Sequence, residues 1–326
     1  MLEVRDVRVT IGRHEIVHID ALDVHAGGRL GLVGESGSGK TMTAMSIVGL
    51  VPADARVTGS ITLAGRELLG RSDAEMAKIR GKDIGVIFQD PSRALDPMMR
   101  IGRQVSEAVR LHMDLSRAET RKRVVNLLTQ VQLPDPELLL RRYPHQLSGG
   151  QQQRVLIAIA IACDPKLLIA DEPTTALDVT VQEEILRLLV QLSEERGMGI
   201  LFVSHDLGVV RFVCESVAVV YGGSLVEVGP TEDVVRRPRH RYSEALLAAN
   251  PGIPDPHEIE EFMGRRLQLI RGSVPAVGEF PSGCRFRSRC DFAIESCCEA
   301  PATTKTPDGH SFRCWNPTEV NIDAAR

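Results

Sequence analysis

The sequence of 326 residues has few aromatic side chains, and none among its first 87 residues. It contains one Trp, three Tyr and eight Phe, of which Phe88 is the first. Long apolar runs are missing too, because the longest fully apolar stretch, residues 155–163, is far shorter than the about 20 residues of a membrane-spanning helix. We therefore expect no transmembrane segment, and any membrane role must come from a partner.

The chain also lacks an excess of charge of one sign. Its formal net charge is -4, which gives no electrostatic reason to expect nucleic-acid binding. Charged residues near the start (Glu3, Arg5, Asp6 and Arg8) leave no apolar core for a signal peptide, so we expect the protein to stay inside the cell. The length allows one large core and a second, smaller unit.

Strand-like apolar runs alternate with helical stretches through much of the chain. The runs are residues 30–33, 84–88, 167–170, 200–203 and 217–221. Such alternation is typical of a mostly parallel sheet covered by helices. The sequence therefore predicts an α/β core within residues 1–240.

The pattern changes twice. Between residues 91 and about 164 only helices are predicted, at 101–113 and 116–131, the second opening on a Ser116 cap with Glu119 three residues later. Past residue 229 Pro, Gly and Cys become frequent and break regular structure. We therefore predict an inserted all-helical subdomain and a small Cys-rich C-terminal appendage at 241–326.

A glycine-rich loop follows the first of these apolar runs. It matches G-x-x-x-x-G-K-[ST] at every fixed position, through Gly34, Glu35, Ser36, Gly37, Ser38, Gly39, Lys40 and Thr41. Backbone N–H groups of such a loop surround phosphates at a helix N-terminus. We expect Lys40 to reach the β and γ phosphates and the Thr41 hydroxyl to bind Mg²⁺.

Two adjacent acids end the apolar run at 167–170. Asp171 is predicted to lie near Mg²⁺, and Glu172 to activate a water as general base. Adjacent acids after a strand can also be a simple helix start, which Pro173 would suit. The phosphate loop in the same chain favours the catalytic interpretation.

The run Leu147-Ser148-Gly149-Gly150-Gln151 separates one ATPase family from other phosphate-loop proteins. With the motifs above, the chain resembles ATP-binding-cassette (ABC) transporter ATPase subunits over residues 1 to about 250. The resemblance implies a RecA-like core with an N-terminal antiparallel β subdomain. It also implies that this run contacts the ATP of a second subunit.

Further residues take roles from the same resemblance. Gln89, in Phe88-Gln89-Asp90-Pro91, would contact Mg²⁺ and water. Ala176-Leu177-Asp178 resembles the D-loop, and His205 the switch histidine that contacts the γ-phosphate. The family usually stacks adenine on an aromatic side chain near position 11, but this chain has Ile11 there. The adenine contact must then be aliphatic or come from the partner.

Five of the seven cysteines lie within 31 residues of the tail. The spacing differs from a paired C-x2-C zinc ribbon, and clustering in a protein expected inside the cell favours metal over disulfides. The segment resembles the C-terminus of dipeptide and oligopeptide permease ATPases, some of which carry a [4Fe–4S] cluster. The implied ligands are Cys284, Cys290, Cys297 and Cys314, with Cys298 as a possible substitute; zinc or free thiols stay open.

The resemblance implies an ATPase that powers peptide import from the cytoplasmic face of the membrane. Its partners would be a second, homologous but different ATPase subunit, two transmembrane permease subunits and an extracytoplasmic binding protein. The cargo could instead be a nickel chelate, glutathione or a sugar. A soluble ABC ATPase of DNA repair or translation and a non-enzymatic regulatory subunit are the other classes considered.

Overall fold

The structure is a computed structural model that describes residues 1–175, 177–249 and 269–318. Two compact units are formed. The helix-rich unit comprises Met1–Leu2, Val24–Gly28 and Gly70–Phe202. The sheet-rich unit comprises Glu3–Asp23, Arg29–Leu69 and the described residues of Val203–Arg326.

The strands of the described residues range from two to eleven residues in length. They are β1 Leu2–Ile11, β2 His14–Val24, β3 Arg29–Val33, β4 Ala55–Leu63, β5 Arg66–Glu67, β6 Ile84–Ile87, β7 Leu167–Asp171, β8 Gly199–Ser204, β9 Ser216–Tyr221, β10 Ser224–Pro230, β11 Thr304–Lys305 and β12 Ser311–Phe312.

The helices range from single turns to the long α8. They are α1 Lys40–Ile47, α2 Asp73–Ala77, α3 Pro91–Ala94, α4 Ile101–His112, α5 Arg117–Gln130, α6 Pro136–Leu139, α7 Gly149–Ala160, α8 Val179–Arg196, α9 Leu207–Val213, α10 Thr231–Arg236 and α11 Arg241–Ala249, with 3-10 turns at Pro144–Gln146 and Glu295–Cys298. None of the helices in the described ranges has the length and apolarity that crossing a membrane requires.

In the helix-rich unit, β7 lies between β6 and β8. β6 and β7 run parallel, with Ile84 opposite Leu167, and every residue of β7 is buried. An uninterrupted apolar run buried on both faces is characteristic of a parallel strand. The strands predicted at 84–88 and 167–170 are thus confirmed.

Only helical elements lie between β6 and β7. α5 begins as predicted, because Ser116 and Glu119 form a capping box in which each side chain accepts a hydrogen bond from the other residue's backbone N–H. α4 buries one face, including Val105 and Val109, which are one helical turn apart. The predicted helices at 101–113 and 116–131 are confirmed to within two residues.

The sheet-rich unit has the strand order β5-β4-β1-β2-β10-β9-β3. β3 is parallel to β9, and β9 is antiparallel to β10. β4 and β5 form an antiparallel hairpin around Ala64 and Gly65, both at positive φ. The strands predicted at 30–33 and 217–221 are therefore neighbours, and the phosphate loop begins at the end of β3.

The predicted appendage at 241–326 is described at residues 241–249 and 269–318, and its part at 269–318, the Cys-rich segment, packs in the sheet-rich unit. β12 pairs antiparallel with β10, placing Phe312 opposite Glu227. The Glu227 carboxylate is buried and accepts hydrogen bonds from the backbone N–H of Arg239 and His240, and it lies 2.6 Å from His310 Nε2. A buried carboxylate needs such partners, so this contact fixes the segment against β10.

Aromatic side chains, scarce in the sequence, gather where the Cys-rich segment meets β9. The ring centroids of Tyr221 and Phe286 are 5.1 Å apart, and those of Tyr242 and Phe286 are 5.2 Å apart. Phe280 meets Tyr221 edge to face. The cluster gives the segment an apolar anchor that its few short strands do not supply.

Candidate nucleotide-binding and catalytic site

The phosphate loop joins the buried strand β3 to α1 in the sheet-rich unit. At Gly34 a Cβ atom would lie 2.2 Å from the carbonyl oxygen of Val220. Gly39, with φ 101°, is the N-cap of α1 and has no side-chain cap. Only glycine meets both demands, so the loop backbone lies close to β9 and α1 begins without a side-chain cap.

Lys40 is buried at the centre of this loop. Its Nζ donates hydrogen bonds to the carbonyl oxygens of Gly34 at 2.7 Å and Glu35 at 2.9 Å. Thr41 is exposed beside it in the first turn of α1. A buried ammonium held by carbonyl groups, next to N–H groups at the positive end of a helix, makes a site for a polyphosphate anion.

The predicted catalytic residues of the helix-rich unit meet at the end of β7. Gln89 Nε2 donates to Glu172 Oε2 at 2.9 Å, and Thr175 Oγ1 donates to the same oxygen at 3.1 Å. Asp171 is buried at the last position of β7. Glu172 has φ 46°, a left-handed conformation that costs a residue with a side chain about 1–3 kcal/mol and is concentrated at functional sites.

The run 147–151 forms the start of α7, also in the helix-rich unit. Ser148 is the N-cap: its Oγ accepts from the N–H of Gln151 at 3.3 Å, and Gln151 Oε1 accepts from the N–H of Ser148 at 3.1 Å. Leu147 is buried, whereas Ser148 and Gly149 are exposed. The N–H groups of Gly149 and Gly150 occupy the first two positions of the helix, where no intrahelical partner exists.

The other predicted residues lie at element ends. Asp178 caps α8, since its Oδ1 accepts from the N–H of Val181 at 3.0 Å; Ala176, in the same predicted D-loop, lies outside the described residues. His205 is exposed between β8 and α9, and Ile11 is half-buried at the end of β1. Gln89 and Glu172 are thus in contact, whereas Asp178 has a capping role of its own.

The four predicted cysteine ligands all lie in the sheet-rich unit, and Cys298 is exposed. Burial raises the pKa of the Cys284 thiol to about 11, and it raises the pKa of Cys290 and Cys314 as well. The backbone N–H of Cys284 donates to the carbonyl oxygen of Cys297 at 3.0 Å, which places these two residues side by side. Cys214 is buried as predicted, and Cys163 is only half-buried.

One contact to the phosphate loop was not predicted. Arg289, next to Cys290, reaches Glu35 with its guanidinium, although 254 positions separate the two residues. Tyr242 reaches the same residue, because its Oη accepts from the N–H of Glu35. No motif spacing relates these residues, so the sequence offered no signal for this contact.

Known proteins share this combination of features. A family model described as ABC transporter matches residues 17–175, and one described as oligopeptide/dipeptide transporter, C-terminal region, matches residues 226–297. The oligopeptide transport ATP-binding proteins OppD of Escherichia coli and of Salmonella typhimurium are each 42% identical over 323 residues, covering 98% of this chain and 94% of theirs. The chain belongs to the oligopeptide/dipeptide group of ABC transporter ATP-binding proteins.

Solved structures agree with this family at the level of the core. A dimeric ATP-binding cassette in a post-hydrolysis state, bound to ADP and Pi, has a TM-score of 0.61 at 30% identity and covers 71% of this chain and 99% of its own. The cassette cbiO1 of Clostridium perfringens has a TM-score of 0.63 at 29% identity, over 72% of this chain and 89% of its own. This member of the family is therefore an ATPase with an α/β phosphate-loop core.

Proposed function

We propose that this chain is the ATP-hydrolysing subunit that powers import of dipeptides or oligopeptides through a membrane ABC transporter. The observation that carries the proposal is that one chain matches both the ABC transporter model and the oligopeptide/dipeptide C-terminal model. A DNA-repair or translation ATPase would not explain the second match. Intact Lys40, Asp171 and Glu172 argue against a regulatory subunit without catalysis.

In the proposed ATP site, the residues act in three groups. Those of the phosphate loop, 34–41, bind the phosphates, with Ile11 near the adenine. Mg²⁺ would be held by Thr41, Gln89 and Asp171, whose hydroxyl, amide and carboxylate groups each offer an oxygen ligand. Glu172 acts as general base on the attacking water, and His205 contacts the γ-phosphate.

The hydrogen bond from Gln89 to Glu172 supports this assignment of the base. It fixes a carboxylate oxygen at the end of β7, and Thr175 donates to the same oxygen. Gln89 would thus position the carboxylate through its Nε2, while its Oε1 would remain available as an oxygen ligand for Mg²⁺.

The partners follow from the family. The run 147–151 and Asp178 are proposed to face a second ATPase subunit, a homologous but different chain, whose ATP the N–H groups of Gly149 and Gly150 contact. A related cassette is dimeric with ADP and Pi, which supports a shared site. Two permease subunits would bind the helical subdomain at about 91–164, and an extracytoplasmic protein would deliver the peptide. The chain would then lie on the cytoplasmic face of the membrane as a peripheral subunit.

The test of hydrolysis is Glu172→Gln in the assembled complex. We expect ATP binding to persist and turnover to fall by about 10²–10⁴-fold, because the general base is lost. ATP should then hold the two ATPase subunits together, as measured by light scattering or chromatography. Turnover equal to wild type would remove Glu172 from this role.

The cargo is tested by ATP-dependent uptake into vesicles that contain the assembled complex. Uptake of peptides is compared with uptake of a nickel chelate, glutathione and a sugar.

We also propose a [4Fe–4S] cluster on Cys284, Cys290, Cys297 and Cys314, in the segment that begins near residue 241. Among the described residues no three cysteine sulfurs lie within 4.8 Å of one another. Four thiolates on one zinc ion, with Zn–S near 2.3 Å, would be about 3.8 Å apart. The positions of the sulfur atoms in the described residues are therefore not those of a preformed single-zinc site.

A buried donor near these thiols fits a [4Fe–4S] cluster. His240 Nδ1 accepts a hydrogen bond from the N–H of Tyr242, so the neutral ring carries its proton on Nε2. Nε2 is buried without a hydrogen-bond partner among the described residues, and His240 and Cys284 line the same cavity of about 540 Å³. A cluster would supply sulfur acceptors there and hold the segment together. Its role would be structural, because hydrolysis of ATP requires no redox step.

Colour tests the metal. Anaerobically purified protein should be brown, with broad absorbance at visible wavelengths. Cys284→Ser should lose the colour and the iron, whereas Cys298→Ser, at the exposed neighbour of Cys297, should keep both. A colourless protein with one zinc ion per chain would establish zinc instead, and a metal-free protein would establish free thiols.

A further inference from the structure

Arg289 forms a two-point ion pair with the phosphate loop. Its Nη1 lies 2.7 Å from Glu35 Oε2, and its Nη2 lies 2.9 Å from Glu35 Oε1. The Arg289 side chain is only 5% exposed. Planar, bidentate pairs of this kind fix orientation as well as distance, since both oxygens and both nitrogens must lie in register.

The guanidinium is held in place by the Cys-rich segment and by β9. Nε donates to the carbonyl oxygen of Arg271 at 2.7 Å, and Nη2 to that of Gly272 at 3.2 Å. Nη1 also lies 3.4 Å from the hydroxyl oxygen of Tyr221. With the two bonds to Glu35, all five N–H donors of the side chain have an acceptor. Arg289 therefore has little freedom to leave Glu35.

Glu35 connects this pair to the residues that would bind phosphate. Its carbonyl oxygen accepts from Lys40 Nζ at 2.9 Å, and its N–H donates to Tyr242 Oη at 2.8 Å. Tyr242 is fully buried and packs against Tyr221 with ring centroids 4.6 Å apart. The backbone and the side chain of Glu35 are thus both fixed. The Glu35 carbonyl oxygen, one of the two acceptors of the Lys40 ammonium, is therefore fixed as well.

We propose that Arg289 is a positioning residue for the phosphate-binding loop, so that the Cys-rich segment is part of the support of the nucleotide site. This rests on the proposed function, in which the loop binds ATP. A loop held in its binding conformation before ATP arrives loses less conformational freedom on binding. Loss of the ion pair weakens nucleotide binding without removing any group that touches the nucleotide.

The test is the dissociation constant of a fluorescent ATP analogue for the full-length chain, without turnover. Arg289→Gln and Glu35→Gln are each expected to weaken binding about tenfold, within the range typical of coupling between sites. The double variant should bind like either single variant, because one interaction is lost in all three. Arg289→Lys should recover only part, since one ammonium cannot replace the planar fork.

Arg313→Gln is the matched control. Arg313 also precedes a proposed cluster ligand, Cys314, and ties the same segment to β2 through Asp20, but it does not touch the loop. The Arg313→Gln variant should bind the ATP analogue with the dissociation constant of the wild type. A variant that only unfolds more easily would lower the number of sites per chain and leave the dissociation constant unchanged.

The outcomes separate this inference from the function on which it rests. If wild type fails to bind the analogue, or Lys40→Ala binds as well as wild type, the proposed nucleotide site is wrong. If wild type binds, Lys40→Ala does not, and Arg289→Gln and Arg313→Gln both match wild type, the positioning role is overturned. Equal losses for Arg289→Gln and Arg313→Gln would also overturn it, because the effect would belong to the segment as a whole.

Discussion

The two helix starts that are proposed to meet phosphate are built differently. α1 begins at Gly39, which has no side-chain cap, and the buried Lys40 ammonium lies against two loop carbonyls. α7 begins at Ser148, and a capping box with Gln151 satisfies two backbone N–H groups. α1 thus begins at a residue that offers no side-chain cap, whereas the start of α7 is capped by side chains of its own chain.

This difference matches the time for which ATP would be bound at each helix N-terminus. On the proposed function, α1 holds the chain's own ATP, and a supported but uncapped loop suits a tightly bound anion. α7 would contact a partner's ATP only while two subunits are closed, so its N-terminus must be stable when they are apart. The changes below disturb one start at a time.

Lys40→Ala should have the largest effect. It removes the only ammonium shown to lie within the phosphate loop, and hydrogen bonds to charged groups contribute about 1.5–3 kcal/mol each, so nucleotide affinity should fall by about 100-fold. Isothermal titration of the isolated chain with ATP measures this. Lys122→Ala, at an exposed position of α5, is the control. Unchanged affinity in Lys40→Ala would exclude α1 as the phosphate site.

Substitution of single loop glycines should have an intermediate effect. Gly39→Ala places a Cβ 2.9 Å from Val17 Cγ2 at φ 101°, whereas Gly37→Ala, at φ 79°, meets nothing within 4 Å. Both incur left-handed strain of about 1–2 kcal/mol, but only Gly39→Ala adds a clash. ATP titration should therefore show a larger loss for Gly39→Ala. Equal losses would mean that strain alone, and not the packed start of α1, controls binding.

Ser148→Ala should have the smallest effect on the isolated chain. Loss of the cap should lower the free energy of unfolding by about 1 kcal/mol and leave ATP affinity unchanged, while turnover of the assembled complex falls. Ser116→Ala is matched, because Ser116 caps α5 through the same box with Glu119. The two variants should unfold at similar temperatures, but only Ser148→Ala should lower turnover of the assembled complex. If turnover agreed as well, Ser148 would be a helix cap only.

Much of this site could be predicted from the sequence because its motifs are local. The phosphate loop lies between a strand and a helix that periodicity already indicated, and the capping box at Ser116 is written in residues three positions apart. The predicted strands and helices differ from the observed ones by one or two residues at their ends, where hydrogen bonding in the last turn, and not composition, decides the boundary.

The parts that could not be predicted depend on contacts between distant residues. Nothing in the spacing of Glu35 and Arg289 indicates that their side chains meet, and Glu227 and His310 are equally remote. The positive φ of Glu172 is also invisible in the sequence, because a left-handed acidic residue is imposed by the surrounding structure. Local sequence patterns thus specify the helices and strands, whereas tertiary packing specifies the long-range contacts that hold them in place.

Amide hydrogen exchange tests the difference between the two helix starts most directly. The chain carrying Glu172→Gln would be labelled with and without ATP, once alone at a concentration where light scattering shows a monomer and once in the assembled complex. We predict that ATP protects the amides of residues 34–41 in both samples, but those of Gly149 and Gly150 only in the complex. Protection of Gly149 and Gly150 by ATP in the monomer would contradict the account.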